Sequence, residues 1–299
     1  MAVKMPSETT RNSAKAKNEF GITAFAMEVW KHRRGRIGVV IVAFFLSIAL
    51  LAPWLSPYNP YSFVARPYLQ PTIEHPLGTD GIGRDLLSQV LWGTRMSLLI
   101  GFIVALSVII IGVSVGLAAA FYGGLMDELL MRFTDELMVL PSLPLMIWMA
   151  TMLGQSMWNT ILVLAIFGWP SMARMVRSET LSVKNRPFVD AARVSGASDI
   201  RIMAQIILPN VASLIVANGI LSIISAILGE ASLSFLGLGD PFNMSWGTVL
   251  YFAQIEGALY NNGWAWILAP GLSIAAIGLA ITFIGSAITD IANPRLRSA

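Results

Sequence analysis

The sequence contains no cysteine, two histidines (His32 and His75) and few ionisable side chains: 20 Lys and Arg with 17 Asp and Glu in 299 residues, or 12%. Each scarcity excludes something. Without cysteine there is no disulfide framework, thiolate metal cluster or cysteine nucleophile. Two histidines leave little for metal chemistry. A soluble domain typically carries about 25% charged residues, so this chain cannot cover the surface of a water-soluble globular enzyme of its length. Motifs for chemistry or energy conversion are also missing. There is no Gly-x-x-x-x-Gly-Lys-Ser/Thr phosphate loop, no His-Glu-x-x-His zinc pair and no Gly-x-Ser-x-Gly elbow. The chain reads as catalytically silent, with no cofactor and no metal of its own.

What is present is apolar. Hydrophobic residues make up 56% of the chain, with a mean hydropathy of +0.69. A hydrocarbon core about 30 Å thick needs about 20 helical residues. Five long runs lack Asp, Glu, Lys and Arg: 37–65, 96–126, 137–173, 202–229 and 257–289. The third is long enough for two crossings, with the polar, Gly-containing segment from Gly154 to Asn159 as a hairpin between them. The expectation is an all-α polytopic membrane protein with six helical spans, near 37–55, 96–121, 136–153, 158–176, 210–236 and 265–288. They must be helices because a lipid-exposed backbone has to satisfy its own hydrogen bonds.

Charge distribution sets the orientation. Alternate loops and termini hold 17 Lys and Arg against 3 on the opposite side, which predicts that both termini are cytoplasmic. The net charge of +3 is therefore a topology signal, and no nucleic-acid partner is implied. Trp54, Trp92, Trp158, Trp246, Trp264 and Trp266 fall near the predicted outer ends, as indole rings favour the interface with lipid. The polar, basic first 36 residues predict a cytoplasmic tail with a surface helix. They do not resemble a cleavable secretory signal, so the first span is expected to be a retained anchor.

Local patterns add further expectations. Glu230 is the candidate intramembrane acid. Twenty residues beyond Asn210 place it about 30 Å along its helix, near the outer boundary. There a snorkelling interfacial carboxylate, or one buried in a short helix packing outside, is favoured over a proton relay, and Glu230 is a candidate outer gate. Within 127–136, Glu128, Arg132 and Glu136 follow one another at spacings of four, which predicts a solvated helix with intrahelical ion pairs. Pro141, Pro144 and Pro170 predict kinks in spans three and four. In the loop 174–209, Pro187 suits a helix start, Gly196 its end, and Ser198 or Asp199 the cap of a second helix. Two short helices joined at a glycine elbow follow, with small side chains at Ala191, Ala192 and Gly196 on which another protein could approach closely.

This loop resembles the cytoplasmic signature of the permeases of ABC importers: an acidic residue, Ala-Ala, three residues, Gly, nine residues, Ile-x-Leu-Pro. Asp190, Ala191, Ala192, Gly196, Ile206, Leu208 and Pro209 match it in type and spacing. The segments His75–Ser88, Glu230–Gly239 with Ser245-Trp246-Gly247, and Asp290–Leu296 are similar to the second permease of dipeptide, oligopeptide and nickel importers. The subfamily often ends Arg-Asp-x-Leu-Asp-Pro, where this chain has Thr289 and Asn293 at the variable places.

The resemblance implies a type I importer architecture. A cytoplasmic tail and surface helix would occupy 1–36, a first transmembrane helix and outer loop 37–95, a permease core of five transmembrane helices 96–290, and a cytoplasmic tail 291–299. It implies that the seven signature residues couple the chain to an ATPase, and that the outer loop, with Gly78, Asp80, Gly83, Arg84 and Asp85, lies on the side of a substrate-binding protein. The implied partners are a second homologous permease, two ATPase subunits that use ATP and Mg, an extracytoplasmic substrate-binding protein and the lipid of a bacterial inner membrane. Di- or oligopeptide is the implied cargo, with nickel or another small solute open. An ion-driven secondary carrier or a membrane-embedded hydrolase would need midplane ion sites or clustered catalytic side chains, and the sequence supplies neither.

Overall fold

The computed structural model describes residues 28–292. The tails expected before residue 28 and from 293 onward lie outside the described residues. Among the described residues, after a short helical segment at 28–31, ten helices follow one another: α1 Arg33–Leu55, α2 Leu86–Tyr122, α3 Gly124–Val139, α4 Ser142–Leu153, α5 Met157–Lys184, α6 Pro187–Val194, α7 Asp199–Ile202, α8 Leu208–Phe235, α9 Trp246–Ile255 and α10 Trp264–Ala292. Among the described residues β-pairing is limited to two isolated antiparallel bridges, Phe63 with Arg84 and Thr79 with Asp85.

Five helical stretches are long and apolar enough to cross a membrane: α1, α2, α5, the continuous stretch Asp199–Phe235, and α10. The expected third span differs from the prediction. Instead of one helix over 136–153, α3 and α4 meet at a 90° bend. Pro141 at the junction has no N–H to continue the α3 ladder, and Leu140 before it is extended. The twelve residues of α4 rise only about 18 Å. The Gly154–Asn159 hairpin forms as expected: Gly154 takes φ +84°, and the Asn159 side-chain amide donates to the Leu153 carbonyl at 2.8 Å.

The stretch from α7 into α8 survives a proline. Pro209 cannot donate, and the preceding turn, Met203–Ile207, widens so that the Leu208 N–H reaches Met203 O. Likewise α5 runs through Pro170 without ending.

α2 is the axis of the fold. At 37 residues it is about 56 Å long, nearly twice the thickness of a hydrocarbon core. It packs most extensively along α5, then against α8 and α1, while α10 rests on α1 and α8. In lipid no hydrophobic force drives helices together, so close backbone approach and dispersion must do so. Gly112 and Gly116, one turn apart on α2, provide that approach. A Cβ at Gly112 would strike the Met172 side chain, and one at Gly116 the Ala173 carbonyl oxygen of α5.

The charged face of α3 is used differently from the sequence expectation. Glu128 and Arg132 do pair along the helix, at 3.7 Å, but no ion pair joins Arg132 to Glu136. Asp127 instead accepts from Arg177 Nε at 2.5 Å and Arg177 Nη2 at 2.6 Å, and Asp135 pairs with Arg174. Two arginines of α5 thus hold α3 in place. The tryptophans also divide: Trp54, Trp158 and Trp264 are exposed, but Trp246 and Trp266 are buried.

Replacing Gly116 by Ala should destabilise the helix bundle by about 1–3 kcal/mol, because the added methyl meets backbone that cannot rotate away. A thermal unfolding curve of the purified chain in detergent checks this, and an unchanged midpoint would remove the close-approach argument.

Candidate coupling elbow and outer cap

The residues singled out from sequence gather at opposite ends of α2. At its start, residues 56–85 fold into a cap built on buried carboxylates. Asp80 is fully buried and accepts four hydrogen bonds: from Ile82 N at 3.1 Å, Arg84 N at 2.8 Å, Arg84 Nε at 2.5 Å and Gln89 Nε2 at 2.8 Å. A buried carboxylate is tolerable only when donors replace its lost water, and these do so. The Arg84 guanidinium lies over the Phe252 ring, 4.9 Å from its centroid, and so reaches α9.

Asp85 is the N-cap of α2. It accepts from Ser88 N at 2.8 Å and Ser88 Oγ at 2.7 Å, and its other oxygen lies 2.9 Å from His75 Nδ1. His75 in turn stacks on Tyr58. Gly78 and Gly83 have φ of +80° and +89°, and a Cβ on either would collide with the Leu69 or Ala65 carbonyl. Asp80, Arg84 and Asp85 therefore act together as the frame of one turn. The capping by Asp85 also explains why α2 begins at Leu86, ten residues before the charge-free run.

The cap is tied sideways as well. Tyr61 donates to Phe242 O at 2.7 Å and accepts from Met244 N at 2.9 Å, and Tyr68 donates to Glu256 O at 2.7 Å. Burial, then the nearby Asp80 carboxylate, hold the Glu256 carboxyl above the usual carboxylate range, with Arg84 opposing them.

Glu230 belongs to a second cluster. It is 1% exposed, buried beneath the short helix α9. Its Oε1 accepts from Ser234 Oγ at 2.6 Å and Ser245 Oγ at 2.7 Å, and Oε2 from Ser97 Oγ at 3.4 Å. Ser97 Oγ also accepts from Trp246 N at 3.1 Å. One carboxyl thus joins α2, α8 and the start of α9. Only Ser234, four residues away on the same helix, was open to sequence reasoning. Ser97 and Ser245 carry no local signal.

At the other end of α2 stands the elbow. α6 ends in a Schellman closure: Gly196 N–H reaches Arg193 O at 2.9 Å and Ala197 N–H reaches Ala192 O at 3.1 Å, with Gly196 at φ +82°. α7 then starts at Asp199 from an extended Ser198. The seven signature residues split between two faces. Ala192, Ile206 and Leu208 pack against the main core. Asp190, Ala191, Gly196 and Pro209 are exposed, beside the exposed apolar side chains of Phe188, Val194 and Ile200. Lys184 anchors the base, donating to Ala120 O at 3.0 Å and Phe121 O at 2.5 Å at the C-terminus of α2. Arg193 lies over the Phe121 ring at 5.7 Å. These two anchors were not anticipated from sequence.

A family model for the inner-membrane component of binding-protein-dependent transport systems matches residues 109–298, which include the elbow and Glu230. The chain belongs to this family. A second model, for the N-terminal transmembrane domain of oligopeptide transport permease C, matches residues 28–72. A candidate peptide transport permease of Brucella abortus is 39% identical over 275 residues, covering 91% of each chain. The dipeptide transport permease DppC of Haemophilus influenzae is 34% identical over 282 residues, covering 90% of this chain and 95% of the relative. The di/tripeptide transport permease DppC of Pseudomonas aeruginosa is 36% identical over 284 residues, covering 91% and 93%. This permease is accordingly a multi-pass inner-membrane protein of an all-α class.

The cap of this permease and the Glu230 cluster each generate a test. A carboxyl whose folded-state pKa is raised contributes stability below its unfolded value that is lost as pH rises through the folded one. Resistance of the cap to limited proteolysis should therefore fall as pH rises from about 4, and Glu256→Gln should flatten the dependence. Glu230→Ala should strand three serine hydroxyls and cost about 1–3 kcal/mol, read as earlier proteolysis near 240–246. A Glu230→Ala permease as resistant as the parent would show that the cluster does not hold α9.

Proposed function

We propose that this permease is one transmembrane half of an ATP-driven importer of di- or oligopeptides. It pairs with a second homologous permease to enclose the substrate path. Two separate ATPase subunits, which carry the ATP and Mg, serve the pair of permeases, one of them docking at this elbow, and an extracytoplasmic substrate-binding protein delivers cargo at the cap. Both termini and the elbow are cytoplasmic. The peptide cargo is inferred from the relatives' names and the extended similarity to them.

The observation that carries the coupling role is the exposed α6–Gly196–α7 elbow, which presents Phe188, Ala191, Val194 and Ile200 to a partner while its base is fixed to the bundle. Single exposed apolar residues are ordinary, but four on one short, firmly anchored elbow form a contact surface. Closure of the ATPases would push this surface. Because Lys184 and the packed Ile206 and Leu208 link it to α2, α5 and α8, the push moves helices rather than a loop. Differential contacts in two states then switch access to the path. The permease itself only conducts. At the opposite end, Glu230 holds α9 across the outer mouth, where a gate would act.

Gly196→Glu tests the reading. A Cβ at Gly196 meets no atom within 4 Å, so the bundle tolerates it sterically, whereas φ +82° and the docking surface do not. The variant should insert normally yet lose ATPase co-purification and at least about tenfold of peptide uptake, a loss of about 1.4 kcal/mol or more in coupling. Unaltered uptake would overturn the coupling role. Uptake of nickel but not peptide by the complete transporter would overturn the cargo.

A further inference from the structure

The elbow-side end of α1 concentrates positive charge: Lys31, Arg33, Arg34 and Arg36 stand within six positions where the helix enters its apolar stretch. Arg33, Arg34 and Arg36 form no ion pair within 4 Å among the described residues. Topology accounts for charge at this place. It does not account for its arrangement.

His32, Arg33 and Arg34 line one wall of a cavity of about 220 Å³, and Ala287 and Asp290 of α10 line the other. At about 30 Å³ per water, that volume holds several waters or one small polar group. Asp290 shares the cavity with two arginines yet closes no salt bridge with either. The walls are held at this separation by the close packing of α1 on α10, where a Cβ at Gly38 would meet the Ala280 carbonyl and the Ile284 side chain. Trp30, half exposed on the preceding turn, marks the level of the interface.

We propose that this cavity seats the headgroup of an anionic phospholipid, its phosphodiester facing Arg33 and Arg34 and a headgroup hydroxyl facing Asp290. The charges select the ligand. Two arginines and one aspartate leave one net positive charge, which a singly charged phosphodiester neutralises and a zwitterionic headgroup does not. Arginine offers a planar fork of donors suited to phosphate, and Asp290 gives a polyol headgroup an acceptor. Basic pockets between spanning helices at the membrane surface are suited to such lipids. The bound lipid would bridge α1 and α10 at the end where the elbow acts.

The test uses the full chain in mixed micelles of equal phosphatidylglycerol and phosphatidylcholine, with retained lipid counted by native mass spectrometry. Phosphatidylglycerol should be retained over phosphatidylcholine. Arg33→Gln with Arg34→Gln should weaken that retention about thirtyfold, as expected for losing two surface-level cations. The control Lys31→Gln with Arg36→Gln removes the same charge outside the cavity and should weaken retention less than the arginine pair does, because it keeps both cavity-lining guanidiniums facing the phosphate. Equal losses in the two double variants would reduce the effect to diffuse charge and overturn the proposal. So would equal retention of both lipids, or displacement by millimolar inorganic phosphate, which would mark a free-anion site. Should the arginine variant fail to insert, Ala287→Leu keeps every cation and narrows the cavity. It should also lose phosphatidylglycerol, and unchanged retention there would overturn the proposal equally.

Discussion

The close approach of α2 to α5 at Gly112 and Gly116 is the constraint on which both ends of the molecule depend. Lipid is as apolar as a leucine side chain, so two helices in a membrane gain nothing by hiding from it. They gain from contact, and contact is deepest where side chains are absent. Once α2 is fixed on α5, its two termini are fixed as well, about 56 Å apart. The cap is built on the first terminus through Asp85, and the elbow is anchored to the last through Lys184.

Those two attachments use the same physical resource. A helix leaves its first four N–H groups and last four carbonyls without partners. Asp85 serves the donors at the start of α2 and Lys184 the acceptors at its end, each with charge of the sign that the helix dipole favours. The cap goes further and buries carboxylates outright. Asp80 is stable because four donors surround it, and Glu230 because three hydroxyls do. The carboxylate oxygens of both clusters are satisfied, and moving any one of these donors away leaves a buried oxygen with a partner fewer.

The elbow shows how one short motif divides its duties. Ala192, Ile206 and Leu208 face the core and make the elbow part of the bundle. Asp190, Ala191 and Gly196 face outward and leave it open to a partner. The positive φ at Gly196 is what turns the chain between the two helices, so the residue is required by geometry before any partner is considered. The bend at Pro141 is another case of backbone chemistry setting architecture: a missing N–H converts an expected straight span into two helices at 90°.

Much of this was legible in the chain itself. Charge-free runs located five crossing helices, and Gly196 with Pro187 located the elbow, because these signals are local: hydropathy, a helix-starting ring, a residue free to take positive φ. The signature of seven residues carried the family resemblance for the same reason, being fixed in spacing along one segment. Sequence could not assign Asp127 and Asp135 to arginines of α5, since along α3 alone they look like a solvated helix face. Nor could it bring Ser97 and Ser245 to Glu230 across 133 and 15 residues, or bury Trp246 among α1, α8 and α10 and Trp266 against the cap. Which residues are helical is decided by neighbours a few positions apart. Which polar groups meet is decided only when helices distant in the chain pack side by side, and packing distances are not written in spacing.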